Sequence, residues 1–319
     1  MDFSKKNILV ITDGSEGMIS QVEGLAKNFH SNFQSISTKL IFPWSILQPG
    51  ILPIFSWIFN NEIKIFPKPD IIISCGRKSV YFSIYLKKKY KNLISIHIQD
   101  PKVNFKKFNY IVAPNHDNIN GSNVIKSIGA LHKFNEQELE KILDNNFIIP
   151  KIDLISIIIG GNNNHYNFSL NEINKLVIKI KKLQKSNPKY TFLILHSRRT
   201  TTKMKILLKK SLNNISIMWE EGQQNPYAFA LKYSEFFIVT SDSTSMISEC
   251  AFTGKPIYVF HLPFKRKSLR IEKFHDQFIK LNITKKLGNE NSLVRWTYNS
   301  LNESKRIASI IKERIIKRT

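Results

Sequence analysis

Polar side chains that are capable of chemistry follow directly on several apolar runs of this chain. There are seven such clusters: Asp13-Gly14, Gly76-Arg77, Gln99-Asp100, His116-Asp117, Gly160-Gly161-Asn162, Ser197-Arg198-Arg199-Thr200 and Ser241-Asp242-Ser243. Each cluster by itself is explained by a turn or a helix cap. Together they predict one polar edge that binds a ligand, because ligands of open α/β sheets bind beyond the carboxyl ends of the strands.

Two of these clusters contain the residue types that bind an anion. Glycines after a strand allow close backbone approach, so we expect the amides of Gly160 and Gly161, with the start of the next helix, to hold an anion. The guanidinium groups of Arg198 and Arg199, at another strand end, suit phosphate oxygens. Neither GxGxxG nor GxxxxGK[ST] occurs, so the sequence does not support classical dinucleotide or P-loop binding.

A third set of polar residues lies at the start of a predicted helix, in the stretch TSDSTSMISEC. Asp242, Ser243 and Ser245 are ordinary capping residues at such a position. Glu249 lies one turn on from Ser245 and faces the same way, so its carboxylate is placed to accept the two hydroxyls of a ribose. A solvated glutamate on the helix surface is the alternative, and the sequence leaves both open.

Motifs for metal binding and for serine hydrolysis are missing. HExxH, CxxC, DxD and GxSxG do not occur. The two cysteines, Cys75 and Cys250, are too few for a disulfide framework or a four-cysteine zinc site. We therefore expect neither a metal nor any other cofactor.

The chain is strongly basic, with 48 Lys and Arg against 24 Asp and Glu and a net charge of +24. Such an excess attracts polyanions, which include nucleic acid, anionic lipid and phosphorylated ligands. The lysines occur in short scattered runs that are typical of solvated surfaces, and the abundance of Ile, Asn and Lys also reflects AT-rich codons. No aromatic and basic RNA-binding pattern accompanies them, so we expect no specific nucleic-acid partner.

Apolar runs alternate with amphipathic helices along the chain. Runs such as ILVIT, IIISC, LISIII and FFIVT are continuous rather than alternating, which predicts parallel strands covered on both faces. The length of 319 residues suggests two domains. The predicted fold class is α/β, with two doubly wound Rossmann-like domains that face a cleft. We expect a first domain over 1–135, a linker over 136–150, a second domain over 151–285, and helices over 286–319 that pack back toward the first domain.

Residues 41–59 form an uncharged stretch, IFPWSILQPGILPIFSWIF, that is close to the ~20 residues of a membrane-spanning helix. The prolines and the glycine in its middle argue against such a helix, because unpaired backbone is costly in lipid. A buried loop with a short helix is one alternative. The other is an exposed apolar surface that lies on a membrane, with Trp44 and Trp57 as interfacial anchors.

The same motifs resemble those of a known family. In chain order they are ITDGSEGMISQVEGLA, PDIIISCGR, HIQDP, PNHD, NVIKSIGALH, IGGNNNHY, SRRT, NPYAFAL and TSDSTSMISECAFTGKPIYV, and they span residues 11–260. The chain resembles the bacterial relatives of the plant elongated-mitochondria (mitochondrial fission) protein, a family described as GT-B-type glycosyltransferases. It is similar, more distantly, to the enzyme that adds N-acetylglucosamine to lipid-linked peptidoglycan precursors. It departs mildly from the family pattern at Asn115, His196 and Cys250.

The resemblance implies that the carboxy-terminal domain binds a nucleotide-sugar. Arg198 and Arg199 would neutralise its diphosphate, and Glu249 would bind its ribose. The full set of implied donor-binding residues is Gly160, Gly161, Asn162, Ser197, Arg198, Arg199, Asn225, Tyr227, Asp242, Ser243, Ser245, Met246 and Glu249.

The resemblance also implies that the amino-terminal domain holds the acceptor. Asp13 and His116 are the candidates for the general base on the acceptor hydroxyl. The implied acceptor-side residues are Gly14, Gly17, Gln21, Arg77, Asp100 and Asp117. Transfer without a metal is typical of GT-B enzymes and agrees with the missing DxD motif.

The function that follows is transfer of a sugar from a nucleotide-sugar to a lipid or saccharide acceptor of the cell envelope. An anionic membrane surface is an expected partner, because residues 41–59 are apolar and the net charge is +24. We expect a cytoplasmic protein that lies on the inner face of the membrane. The alternatives are a sugar-nucleotide epimerase or hydrolase on the same scaffold, and a membrane-division scaffold without catalysis.

Overall fold

The computed structural model describes residues 2–30, 32–59, 67–142, 147–288 and 292–317. The chain divides into two compact units. The amino-terminal unit comprises Met1–Lys133 with Asn302–Thr319, and the carboxy-terminal unit comprises Phe134–Leu301. Of the expected linker, residues 143–146 lie outside the described residues, as do residues 289–291 and 318–319 of the expected carboxy-terminal segment.

The amino-terminal unit contains a six-stranded sheet in the order β2-β1-β3-β4-β5-β6. All neighbouring strands are parallel. The strands are β1 (Ile8–Thr12), β2 (Gln34–Ser37), β3 (Ile71–Cys75), β4 (Ile94–Ile98), β5 (Tyr110–Pro114) and β6 (Val124–Ser127). Every residue of β1, β3 and β5 is buried, as expected for strands that are covered on both faces.

Helices cover both faces of this sheet. Helix α1 (Glu16–Lys27) and helix α9 (Glu303–Ile316) pack on one face, where Val22, Leu25 and Ile311 meet the buried side chains of the strands. Helix α2 (Arg77–Lys89) covers the other face through residues that include Tyr81. The last helix of the chain therefore completes the core of the amino-terminal unit.

The carboxy-terminal unit contains a second six-stranded parallel sheet, in the order β12-β11-β10-β7-β8-β9. Its strands are β7 (Leu154–Ile159), β8 (Thr191–His196), β9 (Ser216–Met218), β10 (Phe236–Thr240), β11 (Ile257–Phe260) and β12 (Thr284–Lys286). Its helices are α3 (Glu136–Glu140), α4 (Leu170–Ser186), α5 (Thr202–Leu212), α6 (Tyr227–Tyr233), α7 (Thr244–Ala251) and α8 (Leu269–Lys280). Ser169 caps α4, since its Oγ accepts a hydrogen bond from Glu172 N at 3.3 Å.

The predicted fold class, α/β with two Rossmann-like domains, is confirmed. Each sheet also has a switch point, where successive crossovers run in opposite directions. It lies between β1 and β3 in the amino-terminal unit and between β7 and β10 in the carboxy-terminal unit. Ligands of such sheets bind in the crevice at the carboxyl ends of the two switch-point strands, so these two places are where a site is expected.

Candidate functional site

A buried carboxylate occupies the switch point of the carboxy-terminal sheet. The side chain of Asp242, two residues beyond β10, is 0% exposed and lies 2.7 Å from Arg199 Nη2 through Oδ2. Its Oδ2 also accepts a hydrogen bond from Gly161 N at 3.0 Å, and its Oδ1 accepts one from Thr240 Oγ1 at 2.6 Å. Asp242 therefore joins the loops that follow β7, β8 and β10, and its charge is balanced within the cluster.

The two glycines after β7 are required by this packing. A Cβ on Gly160 would lie 2.1 Å from a carboxylate oxygen of Asp242, and one on Gly161 would lie 2.0 Å from the carbonyl oxygen of Arg199. Gly160 N donates to Thr240 Oγ1 at 2.8 Å, as Gly161 N does to Asp242. In this structure each N–H already donates to an acceptor of the protein, so the expectation that these amides hold the anion of a ligand stays a prediction.

Arg198 and Arg199, which the sequence predicts to bind phosphate together, differ in their contacts with the protein. Arg199 is fixed, since its Nη1 donates to Gly161 O at 3.2 Å while its Nη2 pairs with Asp242. The side chain of Arg199 is nevertheless 38% exposed. Arg198 is exposed, and its guanidinium makes no hydrogen bond or ion pair with any residue that the structure describes. Arg198 is therefore the group at this edge whose charge is available to a ligand.

Asparagine and hydroxyl side chains shape the loops around this cluster. Asn162 Oδ1 accepts from Phe168 N at 2.6 Å, and Asn163 Nδ2 donates to Asp242 O at 3.1 Å. Ser197 Oγ accepts from Arg199 N at 3.2 Å. Asn162 and Ser197, expected to bind the donor, thus position the loops. Because α4 begins only after this long loop, its first turn does not follow the glycines directly.

Helix α7 brings the third polar set to the same edge of the sheet. Ser243 caps the helix, with its Oγ accepting from Met246 N at 3.4 Å, and Ser245 is half-buried in the first turn. Glu249 is 9% exposed and accepts a hydrogen bond from Tyr227 Oη at 2.6 Å. The alternative of a solvated glutamate is therefore wrong.

Glu249 has a fixed partner in Tyr227. Burial, together with the Glu249 carboxylate, raises the pKa of Tyr227 well above its ordinary value, so its hydroxyl remains a donor. Asn225 is exposed, and its Oδ1 accepts from Tyr227 N at 3.0 Å, which orders the turn before α6.

The sequence analysis assigned no role to several residues of this edge. Thr240 and Thr200 hold Gly160 in place, since Thr240 Oγ1 accepts from Gly160 N and Thr200 Oγ1 donates to Gly160 O. Thr240 is the last residue of β10 and Thr200 lies four residues beyond β8, so the signal was present as small polar residues in the motifs TSDS and SRRT. His196 lies against Trp219, with ring centroids 4.9 Å apart, and its burial lowers its pKa.

At the switch point of the amino-terminal sheet the carboxylate is Asp13. Its Oδ2 accepts from Lys78 N at 3.0 Å and its Oδ1 from Ser79 N at 2.9 Å, so it caps helix α2. Gly76 has a φ of +105°, and a Cβ there would lie 2.6 Å from Asp13 Cγ. The role of Asp13 as a general base stays a prediction.

Arg77, expected to face an acceptor, contacts the backbone of residues 41–59. Its guanidinium donates to the backbone carbonyls of Trp44, Ser45 and Leu47. Three carbonyls of residues 41–59 thus accept from its guanidinium, and its place on the acceptor side stays a prediction. Arg77 ties this segment to the start of α2.

The remaining acceptor-side residues are spread over the same unit. Gly17 and Gln21 lie on α1, where Gln21 is buried and its Nε2 donates to Gly17 O at 3.0 Å. Asp100 accepts from Lys102 N at 2.9 Å. Gly14 has a φ of +90° beside Ser37. His116 and Asp117 are neighbours after β5, with 3.8 Å between His116 Nε2 and Asp117 Oδ1.

Neither a metal site nor a membrane-spanning helix occurs among the residues that the structure describes. Within these ranges, no three His, Cys, Asp or Glu side chains come together as a metal site would need. In the same ranges, no helix is both long enough and apolar enough to cross a bilayer.

Sequence comparison finds a family match across most of the chain. The family model described as Mitochondrial fission ELM1 matches residues 16–315. The uncharacterized protein RP120 of Rickettsia prowazekii is 29% identical, over 96% of this chain and 98% of that protein. The mitochondrial fission protein ELM1 of Arabidopsis thaliana is 24% identical over 78% of this chain, and the match spans 65% of that protein.

Solved structures of similar fold extend over nearly the whole chain. The UDP-GlcNAc 2-epimerase of Methanocaldococcus jannaschii has a TM-score of 0.56 at 13% identity, and covers 96% of this chain and 99% of its own. MurG of Acinetobacter baumannii has a TM-score of 0.53 at 10% identity, and covers 97% and 99%. The epimerase of Neisseria meningitidis bound to UDP-GlcNAc has a TM-score of 0.51 at 14% identity, and covers 98% and 100%. At such identities the likeness shows the fold alone, which is the GT-B fold.

Proposed function

The chain belongs to the mitochondrial fission ELM1 family, and from that premise we propose that it is a glycosyltransferase. Its donor is a nucleotide-sugar that binds at the switch point of the carboxy-terminal sheet. The observation that carries the proposal is the open guanidinium of Arg198 beside the fixed pair of Arg199 and Asp242. This is a positive charge next in sequence to that pair, beyond the carboxyl end of a strand, and ligands of α/β sheets bind at the carboxyl ends of the strands.

Loss of a nucleoside diphosphate requires stabilisation of negative charge on the leaving oxygens. Arg198 provides a free planar fork for those oxygens, and Arg199, already held by Asp242, contributes its exposed portion. Because Arg199 is oriented before a ligand arrives, little side-chain entropy is lost when it binds one.

The pair of Glu249 and Tyr227 is the proposed ribose site. The Tyr227 hydroxyl holds one carboxylate oxygen of Glu249 at 2.6 Å and so fixes the carboxylate plane. A carboxylate accepts hydrogen bonds from two neighbouring hydroxyls, which is the pattern that a ribose presents.

We propose a cell-envelope lipid or saccharide as the acceptor, and transfer that uses no metal. The amino-terminal unit would hold that acceptor, as the family resemblance implies. His116 and Asp13 remain the candidates for the base. Histidine suits a base that works near neutral pH. Both carboxylate oxygens of Asp13, by contrast, already accept backbone N–H groups.

Binding of nucleotides by the purified protein tests the donor site. We expect a nucleoside diphosphate to raise the melting temperature, because a ligand at about 100 times its Kd adds ~2.7 kcal/mol to the stability of the folded state. Arg198→Ala should weaken binding about tenfold or more, since a charge-assisted hydrogen bond contributes ~1.5–3 kcal/mol. Equal affinity of Arg198→Ala and wild type would refute the assignment.

Lys210→Ala is the matched control for that experiment. Lys210 is an exposed cation near the carboxyl end of α5, at the opposite edge of the sheet from Arg198. Its removal takes away the same charge from the same unit, and we expect nucleotide affinity to stay within about twofold, as for a screened surface charge. A loss equal to that of Arg198→Ala would mean that net charge alone attracts the nucleotide.

The second candidate is a sugar-nucleotide epimerase or hydrolase, which the two UDP-GlcNAc 2-epimerases of similar fold favour. Product analysis separates the two classes. A transferase releases nucleoside diphosphate in proportion to added acceptor, whereas an epimerase yields a new sugar-nucleotide without acceptor. Absence of any nucleotide binding would instead favour a membrane-division scaffold without catalysis.

A further inference from the structure

Residues 42–57 present a cluster of large apolar side chains to solvent. Sixteen large apolar side chains of the described residues are exposed, and five of them lie in this one segment. These five are Phe42, Ile46, Ile51, Phe55 and Trp57, with exposed fractions of 75%, 66%, 62%, 44% and 58%. Single exposed apolar residues are ordinary, but a contiguous cluster marks an interaction surface.

The exposed cluster belongs to a firmly held segment. Trp44, Ile58 and Phe59 are buried in the core beneath α2, and Leu40 pairs with Phe59 in an antiparallel bridge. Trp44 Nε1 donates to Pro53 O at 3.0 Å. Since these anchors fix the backbone, the outward side chains are displayed by a folded loop and are not the result of fraying.

The aromatic members of the cluster support one another. The rings of Phe55 and Trp57 are stacked with centroids 5.5 Å apart, and Trp57 meets Trp44 edge-on at 5.1 Å. Phe42 and Trp57 each lie two residues from the bridge that closes the segment. Trp57 is therefore held between a buried ring and an exposed ring, an arrangement that fixes an aromatic side chain at a surface.

Lysines border this apolar surface. Residues 50–54 line a cavity of about 420 Å³ together with Ile84, Lys87, Lys88 and Lys107. None of these three lysines forms an ion pair with the residues described by the structure, and α2 carries no Asp or Glu. Partial burial lowers the pKa of Lys87, a cost that a neighbouring anion would offset.

We propose that residues 42–57, with the lysines beside them, dock on the surface of an anionic phospholipid bilayer. Apolar side chains enter the boundary between headgroups and acyl chains, where aromatic rings are favoured, and the lysines meet the phosphates. The positive charge of the lysines favours a bilayer over a protein as the partner, because the surface of an ordinary protein does not present a continuous layer of phosphate groups. The proposal is independent of nucleotide binding.

Vesicle co-sedimentation of the full chain tests it. With phosphatidylcholine vesicles that contain phosphatidylglycerol, we expect strong binding at low salt, and at least about tenfold weaker binding at high salt or to pure phosphatidylcholine. Equal binding to both vesicle types, or binding to neither, would overturn the proposal.

Paired substitutions locate the surface. Phe42→Ser with Trp57→Ser should lower partitioning about tenfold or more, because both side chains leave the interface. The matched control is Ile178→Ser with Ile206→Ser, two side chains that are 55% and 61% exposed in the carboxy-terminal unit. Wild-type binding by the first pair, or an equal loss in the control pair, would contradict the proposal.

Paired charge reversals test the lysines in the same way. Lys88→Glu with Lys107→Glu should weaken binding to anionic vesicles by at least about tenfold, whereas Lys181→Glu with Lys185→Glu, on the exposed face of α4, should change it by less than about threefold. Unfolding curves and nucleotide affinity of each variant show that the fold is intact. If Phe42→Ser with Trp57→Ser fails to fold, Ile46→Ser with Ile51→Ser provides the same test.

Discussion

Asp242 shows how one residue decides what its neighbours can do. Its carboxylate accepts from Gly161 N and Thr240 Oγ1 and pairs with Arg199, so three groups of the strand edge are engaged by the protein. In sequence, the two glycines and two arginines are four equivalent candidates for phosphate binding. The buried carboxylate engages the amide of Gly161 and the guanidinium of Arg199, and the hydroxyl of Thr240 accepts from the amide of Gly160. Arg198 is left as the open group.

A second buried group at the residue scale is His97, on β4. It is 1% exposed, and its Nδ1 lies 2.8 Å from Ser74 Oγ. Burial lowers its pKa from 6.5 to about 3, against a smaller opposing effect of the Asp100 charge. In the folded state this imidazole therefore stays neutral at any pH near neutrality.

This shift makes stability depend on pH in a definite direction. Below pH 6.5 the unfolded chain binds a proton at His97 that the folded chain does not, so the stability linked to this group is lost as the pH falls from 6.5 toward 3. At pH 5 the loss from His97 is ~2 kcal/mol. Denaturant unfolding of wild type and His97→Asn at pH 7 and pH 5 should show a drop that is smaller in the variant by about that amount. Equal drops would contradict the assignment.

At the scale of elements, helix α9 completes the amino-terminal unit, to which the chain returns after the carboxy-terminal unit. Ile307, Ile311 and Ile315 are buried in the core beside α1. Glu303 Oε2 accepts from Ile128 N at 2.7 Å, and Ser304 Oγ donates to His132 O at 2.8 Å. These contacts join the first turn of the helix to the segment that follows β6.

Substitution of Ile311 measures how much α9 contributes to this unit. Ile311 is 0% exposed, so Ile311→Ala should lower the unfolding free energy by about 3 kcal/mol. Ile316→Ala, on the same helix at 48% exposure, should change it by less than ~0.5 kcal/mol. Equal effects of the two substitutions would mean that α9 is not part of the core.

Fluorescence can assign that loss to the amino-terminal unit. Trp44 and Trp57 lie in this unit, whereas Trp219 and Trp296 lie in the other. In a background in which Trp219 and Trp296 are replaced by Phe, the emission follows the unfolding of the amino-terminal unit. The Ile311→Ala effect should appear in this signal.

The elements differ in how well the sequence predicts them. Strands such as β1, β3, β7 and β10 are continuous apolar runs, and the sequence analysis found them because burial on both faces needs such runs. It missed β2, β6 and β12, which are three or four residues long and are not fully buried. Short strands at or near a sheet edge rely on pairing with a neighbour, which a local pattern does not show.

For the candidate site, the sequence indicates which polar residues follow strands but not which of them bond to one another. The sequence predicts polar residues at the carboxyl ends of strands, whereas the switch points follow from the strand order, which the structure supplies. Which side chains are consumed by the protein depends on contacts between residues far apart, such as Asp13 with Ser79 or Gly161 with Asp242. No spacing rule reports such contacts.

At the scale of the whole molecule, the two units carry different proposed tasks. The carboxy-terminal unit provides Arg198 and the pair of Glu249 and Tyr227 for the donor. The amino-terminal unit provides the candidate bases Asp13 and His116 and the apolar surface of residues 42–57. Substitution of a candidate base in the amino-terminal unit should therefore lower turnover and leave the affinity for the nucleotide unchanged.

The prediction at this scale concerns turnover against nucleotide affinity. If Asp13 or His116 acts as the base on the acceptor, then Asp13→Asn or His116→Gln should lower turnover by ~10²–10⁴ and leave the Kd for the nucleotide unchanged. The acidic limb of the pH–rate profile should disappear in the same variant, because that limb reports protonation of the base.

Asp70→Asn is the matched control, since Asp70 also accepts a backbone N–H, from Asn7 at 2.9 Å, but lies at the opposite edge of the sheet. Asp13 caps α2, so a purely structural role would lower turnover only in proportion to lost folded protein and would keep the pH profile. Near wild-type turnover in both variants would place the base on another residue.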